Sequence, residues 1–359
     1  MANRNRIAMS HALFRDLIDH VEKTGESFAH QDKARWIKKK DEADIALMAE
    51  ADIIRLQQIT RHVRGVQIEH EGARYFALLG LQNVDQLPEG LSYSDLTPGL
   101  FAITVTEAKL VPSAGPLEIR QAVEESHSGE PSFDGIELDE VARLYPEIFI
   151  FSADNDYEFT SSLVRVLGAL LAASYLDGPI ELELKTLQDV QRLFESGSEH
   201  IPFENILQGL LSISWGGLFL ELYRSVEQLF AVPRLIEITD DWPSSLPFSE
   251  LANLLENHLS WRPKENDALA AIIRGCRLDV TSALGDAFCP HRKRPVDHQN
   301  MADDVYRLRN SLVHFRQSLR LEDTGDQRWN EMIRAMISLV REAYSLHGAK
   351  YHLNPVAPA

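Results

Sequence analysis

The sequence predicts a mostly helical α+β protein, with a mixed α/β domain over residues 1–195, an all-α bundle over 200–348 and a short tail, 349–359. Three observations predict it. After residue 200 the apolar residues recur at spacings of three and four, the rhythm of one buried helical face. Before it, short alternating or β-branched runs interrupt the helical patterns. Between the two textures lies Ser196-Gly197-Ser198, the best punctuated boundary in the chain.

In chain order, Ile7 to Lys23 reads as a helix and Lys33 to His62 as one or two more, with Trp36-Ile37-Lys38-Lys39-Lys40 an exposed helical face. Ala73 to Leu79 and Leu100 to Thr106 look like strands, the second being rich in β-branched residues. Val111 to Pro116 is a turn, followed by a helical pattern to Glu125. Glu147 to Ser152 reads as a strand leading to a helix from Ser161 to Tyr175, and Ile180 to Lys185 alternates like a half-buried strand. In the bundle, Trp215, Leu218, Phe219, Leu222, Val226, Leu229 and Phe230 mark a long amphipathic helix that Pro233 should end. Two shorter patterns follow, Phe248 to His258 and Pro263 to Arg277, then a helix carrying Val305, Leu308, Leu312, Phe315 and Leu319 inward. A last helix opens near Asp326, buries Trp329, Ile333, Met336, Val340 and Tyr344, and should stop at Gly348.

Composition bounds the function. The chain has 359 residues, 44% of them hydrophobic and 25% charged, enough for two or three domains with real cores. Two cysteines, Cys276 and Cys289, make no disulfide framework, which fits a reducing, cytoplasmic setting. No secretory signal is apparent, and the most apolar run, Val166 to Leu176, is too short to span a bilayer, so no membrane partner is expected. A net charge of −18 argues against a protein that coats nucleic acid indiscriminately. The charge is uneven, however. Glu118 to Glu158 holds twelve Asp and Glu against Arg120 and Arg143, whereas Ala287 to Arg320 holds seven Lys and Arg against three Asp. The basic stretch surrounds the helix that carries the most distinctive motif, which favours a local phosphate-handling surface.

That motif is Arg309-Asn310-Ser311-Leu312-Val313-His314, in a helix predicted from about Asp303 through Arg316. On a helical wheel Arg307, Asn310 and His314 point roughly opposite the apolar stripe, with Arg309 on its flank. The Arg-Asn-x-x-x-His string, with the helical pattern over about residues 200–348, resembles the HEPN superfamily, helical proteins many of which are metal-independent ribonucleases. The resemblance implies a HEPN-like bundle and a homodimer formed through the motif helix, each protomer contributing an Arg and a His. It also implies an endoribonuclease that cuts RNA, transfer RNA included, by 2′-hydroxyl attack to leave a 2′,3′-cyclic phosphate, with no metal or cofactor. The setting it implies is antiviral defence or toxin–antitoxin growth arrest, with an antitoxin or an activating phage component as partner.

Such chemistry needs a proton carrier and positive charge for a crowded phosphate. His314 supplies imidazole chemistry near neutral pH. Arg309 supplies a planar fork for phosphate oxygens, and Asn310, one turn before His314, is placed to orient the imidazole or hold the phosphate. Glu221 or Glu227, on the first bundle helix, would fill the place of the acidic residue that pairs with the motif Arg in HEPN proteins. Asp303 and Asp304 read as capping partners of the motif helix. Arg292, Lys293, Arg294, Arg307 and Arg316 are candidates for RNA backbone contacts. In some toxin–antitoxin HEPN proteins a Tyr stands two residues after the motif His and is modified by a partner nucleotidyltransferase. Here that place holds Arg316, which argues against this control. Two other readings compete. One is a catalytically silent HEPN adaptor that binds nucleotide or protein. The other is a magnesium-dependent, restriction-like nuclease built on Asp95, Glu107 and Lys109 across the expected strand.

Overall fold

The structure, a computed structural model, describes residues 4–25, 35–82, 84, 86–125, 134–175, 178–241, 247–259, 261–291, 296–314 and 324–351. The chain is mixed α/β and about 60% helical, and it divides into two compact units at Leu167/Gly168.

Unit 1 begins with α1 (Arg6–Glu22), capped by Asn5, and α2 (Glu42–Glu50), capped by Asp41. Strands β1 (Asp52–Gln58), β2 (Arg64–His70), β3 (Ala73–Leu79) and β4 (Leu91–Ser94) follow, then α3 (Pro98–Glu107), α4 (Pro116–Glu125), α5 (Leu138–Ala142) and β5 (Ile148–Ala153). The strands form one antiparallel sheet in the order β1-β2-β3-β5-β4. Glu71 and Gly72 join β2 to β3 with φ of 50° and 80°, the positive values that a two-residue hairpin turn requires. One sheet face carries Val66, Ile68, Ala77, Leu79 and Ile150 into a core shared with α1, α3 and α4. The opposite face buries Phe76, Leu78 and Phe151, and Leu163 of α6 (Leu163–Ala173) lies over Gly65.

Several expectations are corrected here. Leu100 to Thr106 is helical, because Thr97 caps Leu100 N, Pro98 opens the helix and α3 is buried all round from Gly99 to Val105. Burial on every side removes the amphipathic contrast that identifies a helix. Its Gly99 donates to both carboxylate oxygens of Asp44, and a Cβ there would meet one of them at 2.7 Å. Among the described residues, the segment expected as helix from Lys33 to His62 holds only α2 before β1, and Ile37 forms a bridge to Ile136 instead of lying on a helix.

Unit 2 continues with α7 (Leu184–Ser196), α8 (Phe203–Leu210), α9 (Trp215–Glu227), α10 (Val232–Asp241), α11 (Phe248–Leu259), α12 (Glu265–Gly275), α13 (Leu278–Phe288), α14 (His298–Val313) and α15 (Asp326–Tyr351). It has no strand among the described residues. The 26 residues of α15 form the axis, ~39 Å long at 1.5 Å per residue, against which α7, α9, α12 and α13 pack. Because α7 rests on α15, residues 168–196 go with the helical unit, and the division falls well before Ser196-Gly197-Ser198. The expected strand from Ile180 to Lys185 is not formed: Ile180 and Leu182 are buried alternately, but Leu184 is exposed and opens α7, and no neighbouring strand among the described residues receives them. Asn330 of α15, 1% exposed, takes that place: its amide accepts from Glu183 N at 2.9 Å and donates to Glu181 O at 3.0 Å. Pro233 sits in the first turn of α10 rather than ending a helix, and Gly348 lies within α15, where a Cβ would press His200 at 2.9 Å. No helix among the described residues is long and apolar enough to cross a membrane.

Candidate functional site

Helix α14 opens at Asp297, whose carboxylate accepts from Asn300 N at 2.7 Å. The cap therefore lies earlier than Asp303 and Asp304, which sit inside the helix. Asp303 accepts from Asn266 and Gln299, and Asp304 pairs with Arg307 at 2.6 Å. Buried Met301, Ala302, Val305 and Ser311 seat the helix, which packs on α9, α12 and α13. The first turn of α9 comes close to its end, since a Cβ on Gly216 would lie 2.7 Å from Leu312.

The motif divides into an inner and an outer part. Arg309 turns inward, its side chain 20% exposed, between the C-terminus of α9 and the N-terminus of α12. Its Nη2 lies 3.7 Å from both Glu227 and Glu265, and its guanidinium stands 5.8 Å from the centroid of the Tyr223 ring. Tyr223 and Glu227 are one turn apart on α9, so both project to one face. The Tyr223 hydroxyl donates to Glu265 at 3.4 Å, and burial pushes this phenol well above its ordinary range, with the two carboxylates adding to the shift. Burial likewise raises the Glu227 carboxyl, followed by repulsion from Glu265, while Arg309 and Arg224 pull it down.

Asn310 accepts from Arg309 Nη1 at 3.0 Å through its side-chain oxygen. It therefore steadies the guanidinium rather than the imidazole. His314 is the C-cap, with extended backbone (φ −108°, ψ 110°), so the helix stops at Val313 instead of carrying His314 in its interior. Its N–H closes the last turn onto Asn310 O at 2.9 Å. The side chain is exposed and has no hydrogen bond or ion pair among the described residues, and neighbouring Val313 is 48% exposed. Close by in the fold, Trp215 stacks on buried Trp329 at 6.2 Å with its indole N–H donated to Asp326.

The remaining candidates separate. Glu221 pairs with Arg224 on its own helix and takes no part in holding Arg309. Arg307 is an exposed partner of Asp304. Arg292, Lys293, Arg294 and Arg316 lie outside the described residues. Glu265 and Tyr223 were not among the sequence candidates. A Glu opening a helix is most economically read as a dipole partner, and a Tyr on an apolar stripe as core.

For the metal-nuclease alternative, Asp95 precedes α3 while Glu107 and Lys109 lie at its far end, about 15 Å away by helical rise. Glu107 pairs there with Arg4 at 3.3 Å. The three residues do not flank one strand, and no group of metal-ligating side chains gathers among the described residues.

Fold and site define a two-unit protein, whose helical unit holds an arginine between two carboxylates and, five residues on at the end of the same helix, an exposed histidine. Comparison with family models, curated proteins and solved structures finds no match for the chain.

Proposed function

We propose that the chain is a metal-independent endoribonuclease of HEPN type that cleaves RNA by attack of its own 2′-hydroxyl, leaving a 2′,3′-cyclic phosphate. The observation that carries this reading is the pairing of a held guanidinium, Arg309, with an unencumbered imidazole, His314, five residues on and at the open end of α14. In this reading His314 moves the proton between the 2′-oxygen and the leaving 5′-oxygen. Arg309 offers charge to the phosphate, and Asn310 with Glu227 and Glu265 positions it. Tyr306 and exposed Val313 supply the apolar part of a seam with a second copy, which would bring two His314 side chains to one substrate. The helical unit is then a HEPN-like bundle, acting in the cytoplasm in defence or growth arrest, with unit 1 selecting substrate or receiving a signal.

One observation favours a second reading, a silent adaptor: two carboxylates already offset the Arg309 charge. Expression tests separate the two. The nuclease reading expects growth arrest from the wild type and none from His314→Ala, the variant keeping its helical circular dichroism. Equal toxicity of a folded His314→Ala protein would leave the adaptor.

A further inference from the structure

We propose that unit 1 carries a binding seat for a nucleoside 5′-monophosphate, in the cavity where β2 begins and β3 ends. The proposal is independent of the chemistry assigned to the motif helix. Sheet register assembles it. Arg64, Leu79 and Ile148 are direct neighbours across β2, β3 and β5. The residues next beyond that row, among them His62, Gly80 and Glu147, therefore gather off one end of the sheet. The cavity there measures about 360 Å³, within the range of small-ligand sites.

Its polar lining is mostly basic: Arg61, His62 and Arg64, with Glu147 the one carboxylate. The β1–β2 turn fixes the first two. Thr60 Oγ1 accepts from His62 N at 3.2 Å and Val63 N at 3.0 Å, and Ile59 N donates to Val63 O at 3.1 Å. The end of β3 presses this turn from below. Gly80 has φ of 81°, and a Cβ there would sit 2.7 Å from His62 O, so only glycine allows the approach. Arg64 is held by donating Nε to Arg61 O at 3.2 Å and Nη1 to Ala108 O at 2.8 Å, and its Nη2 has no acceptor among the described residues. The Arg61 guanidinium and the His62 imidazole likewise have no side-chain hydrogen bond or ion pair among the described residues. Elsewhere in unit 1, Arg4, Arg74, Arg120 and Arg165 each have a carboxylate partner, while Arg15 and Arg143, each standing alone, have no ion pair among the described residues. In a chain of net charge −18, three basic groups around one cavity with no ion pair among the described residues fit an anion.

The remaining walls narrow its identity. Val111, Pro112 and Leu81 offer apolar surface for a flat ring. Ser113 N, bonded to Leu144 O at 2.9 Å, fixes the segment that carries the first two. Guanidinium forks match phosphate oxygens, and Glu147 can accept from ribose hydroxyls. One basic cluster and this volume suit a single phosphate group on a nucleoside rather than a longer phosphate chain.

The test is calorimetric titration of the full-length protein at low salt with AMP, GMP, CMP and UMP, and with adenosine and inorganic phosphate as partial ligands. The variants Arg61→Glu and Val111→Trp alter exposed positions, and their thermal melts check that the fold persists. The expected result is saturable one-site binding of at least one monophosphate, at least about tenfold tighter than adenosine or phosphate alone. Both variants should weaken it about tenfold or more, and added salt should also weaken it. Absence of saturable binding by all four nucleotides, binding that both folded variants leave unchanged, or equal affinity for inorganic phosphate would each overturn the proposal.

Discussion

Arg309 in the second unit and Arg61 in the first carry the same guanidinium, yet their surroundings differ in kind. Arg309 is largely enclosed, with Glu227 and Glu265 at 3.7 Å and the Tyr223 ring beneath it, so its charge is balanced within the protein. Arg61 stands exposed beside His62 and Arg64 on a cavity rim, with no ion pair among the described residues. A balanced cation is a positioned element whose charge becomes available only as a substrate competes with its partners. A cluster without a carboxylate partner is open to an anion, and in it only Arg64 makes side-chain hydrogen bonds to the fold, to Arg61 O and Ala108 O. The same residue type thus serves the proposed catalysis in one unit and the proposed ligand capture in the other.

Removing each guanidinium breaks this comparison most forcefully. Arg309→Met leaves Glu227 and Glu265 without the cation held between them and should cost about 2–3 kcal/mol in urea unfolding. Arg61→Met should change stability by less than about 0.5 kcal/mol. Equal effects in the two variants would erase the distinction.

A pair of glycines sharpens it at smaller scale. Gly80→Ala forces a side chain into positive φ against the carbonyl of His62 and should cost about 1–2 kcal/mol. Gly216→Ala meets only a methyl of Leu312 at the end of a flexible side chain, so less than about 1 kcal/mol is expected. Thermal melts of the two variants, read side by side, check the order.

The smallest effect is a pH dependence. Burial and Glu265 raise the Glu227 carboxyl above its unfolded value, so the folded chain holds that proton more tightly. The resulting stabilisation is fully present below the ordinary carboxylate range and is lost as pH rises through the raised value. Glu227→Gln should therefore melt higher than the wild type at neutral pH, and the gap should close on acidification. Parallel melting curves at all pH values would remove Glu227 from the account.

How much of this was legible in the sequence depended on whether a segment showed two contrasting faces. α1, α9 and α15 do, and their periodicity placed them well. α3 is buried from Gly99 to Val105, and its β-branched residues imitated a strand, although Thr97-Pro98 was a readable helix start. Ile180 and Leu182 are buried in alternation, but Leu184 is exposed and opens α7, and alternation reports burial and not a strand partner, a role that Asn330 fills from 147 residues away in the chain. At the candidate site, Arg309, Asn310 and His314 could be named from a motif that resembles the HEPN signature, and that resemblance offered Glu227 only as an alternative to Glu221. Glu265 could not, because only the tertiary approach of α12 to α14 gives it a partner. The end of α14 at Val313 was also hidden, since the helical pattern ran on past His314.

The most direct test of the central claim is cleavage of total RNA and a transfer-RNA panel in EDTA by wild type, Arg309→Ala and His314→Ala, with product ends mapped. The account predicts discrete wild-type cuts ending in 2′,3′-cyclic phosphate, reduced about 10²–10⁴-fold in folded His314→Ala and also lost in folded Arg309→Ala. Cleavage that persists in folded His314→Ala, or that requires a divalent metal, would contradict it.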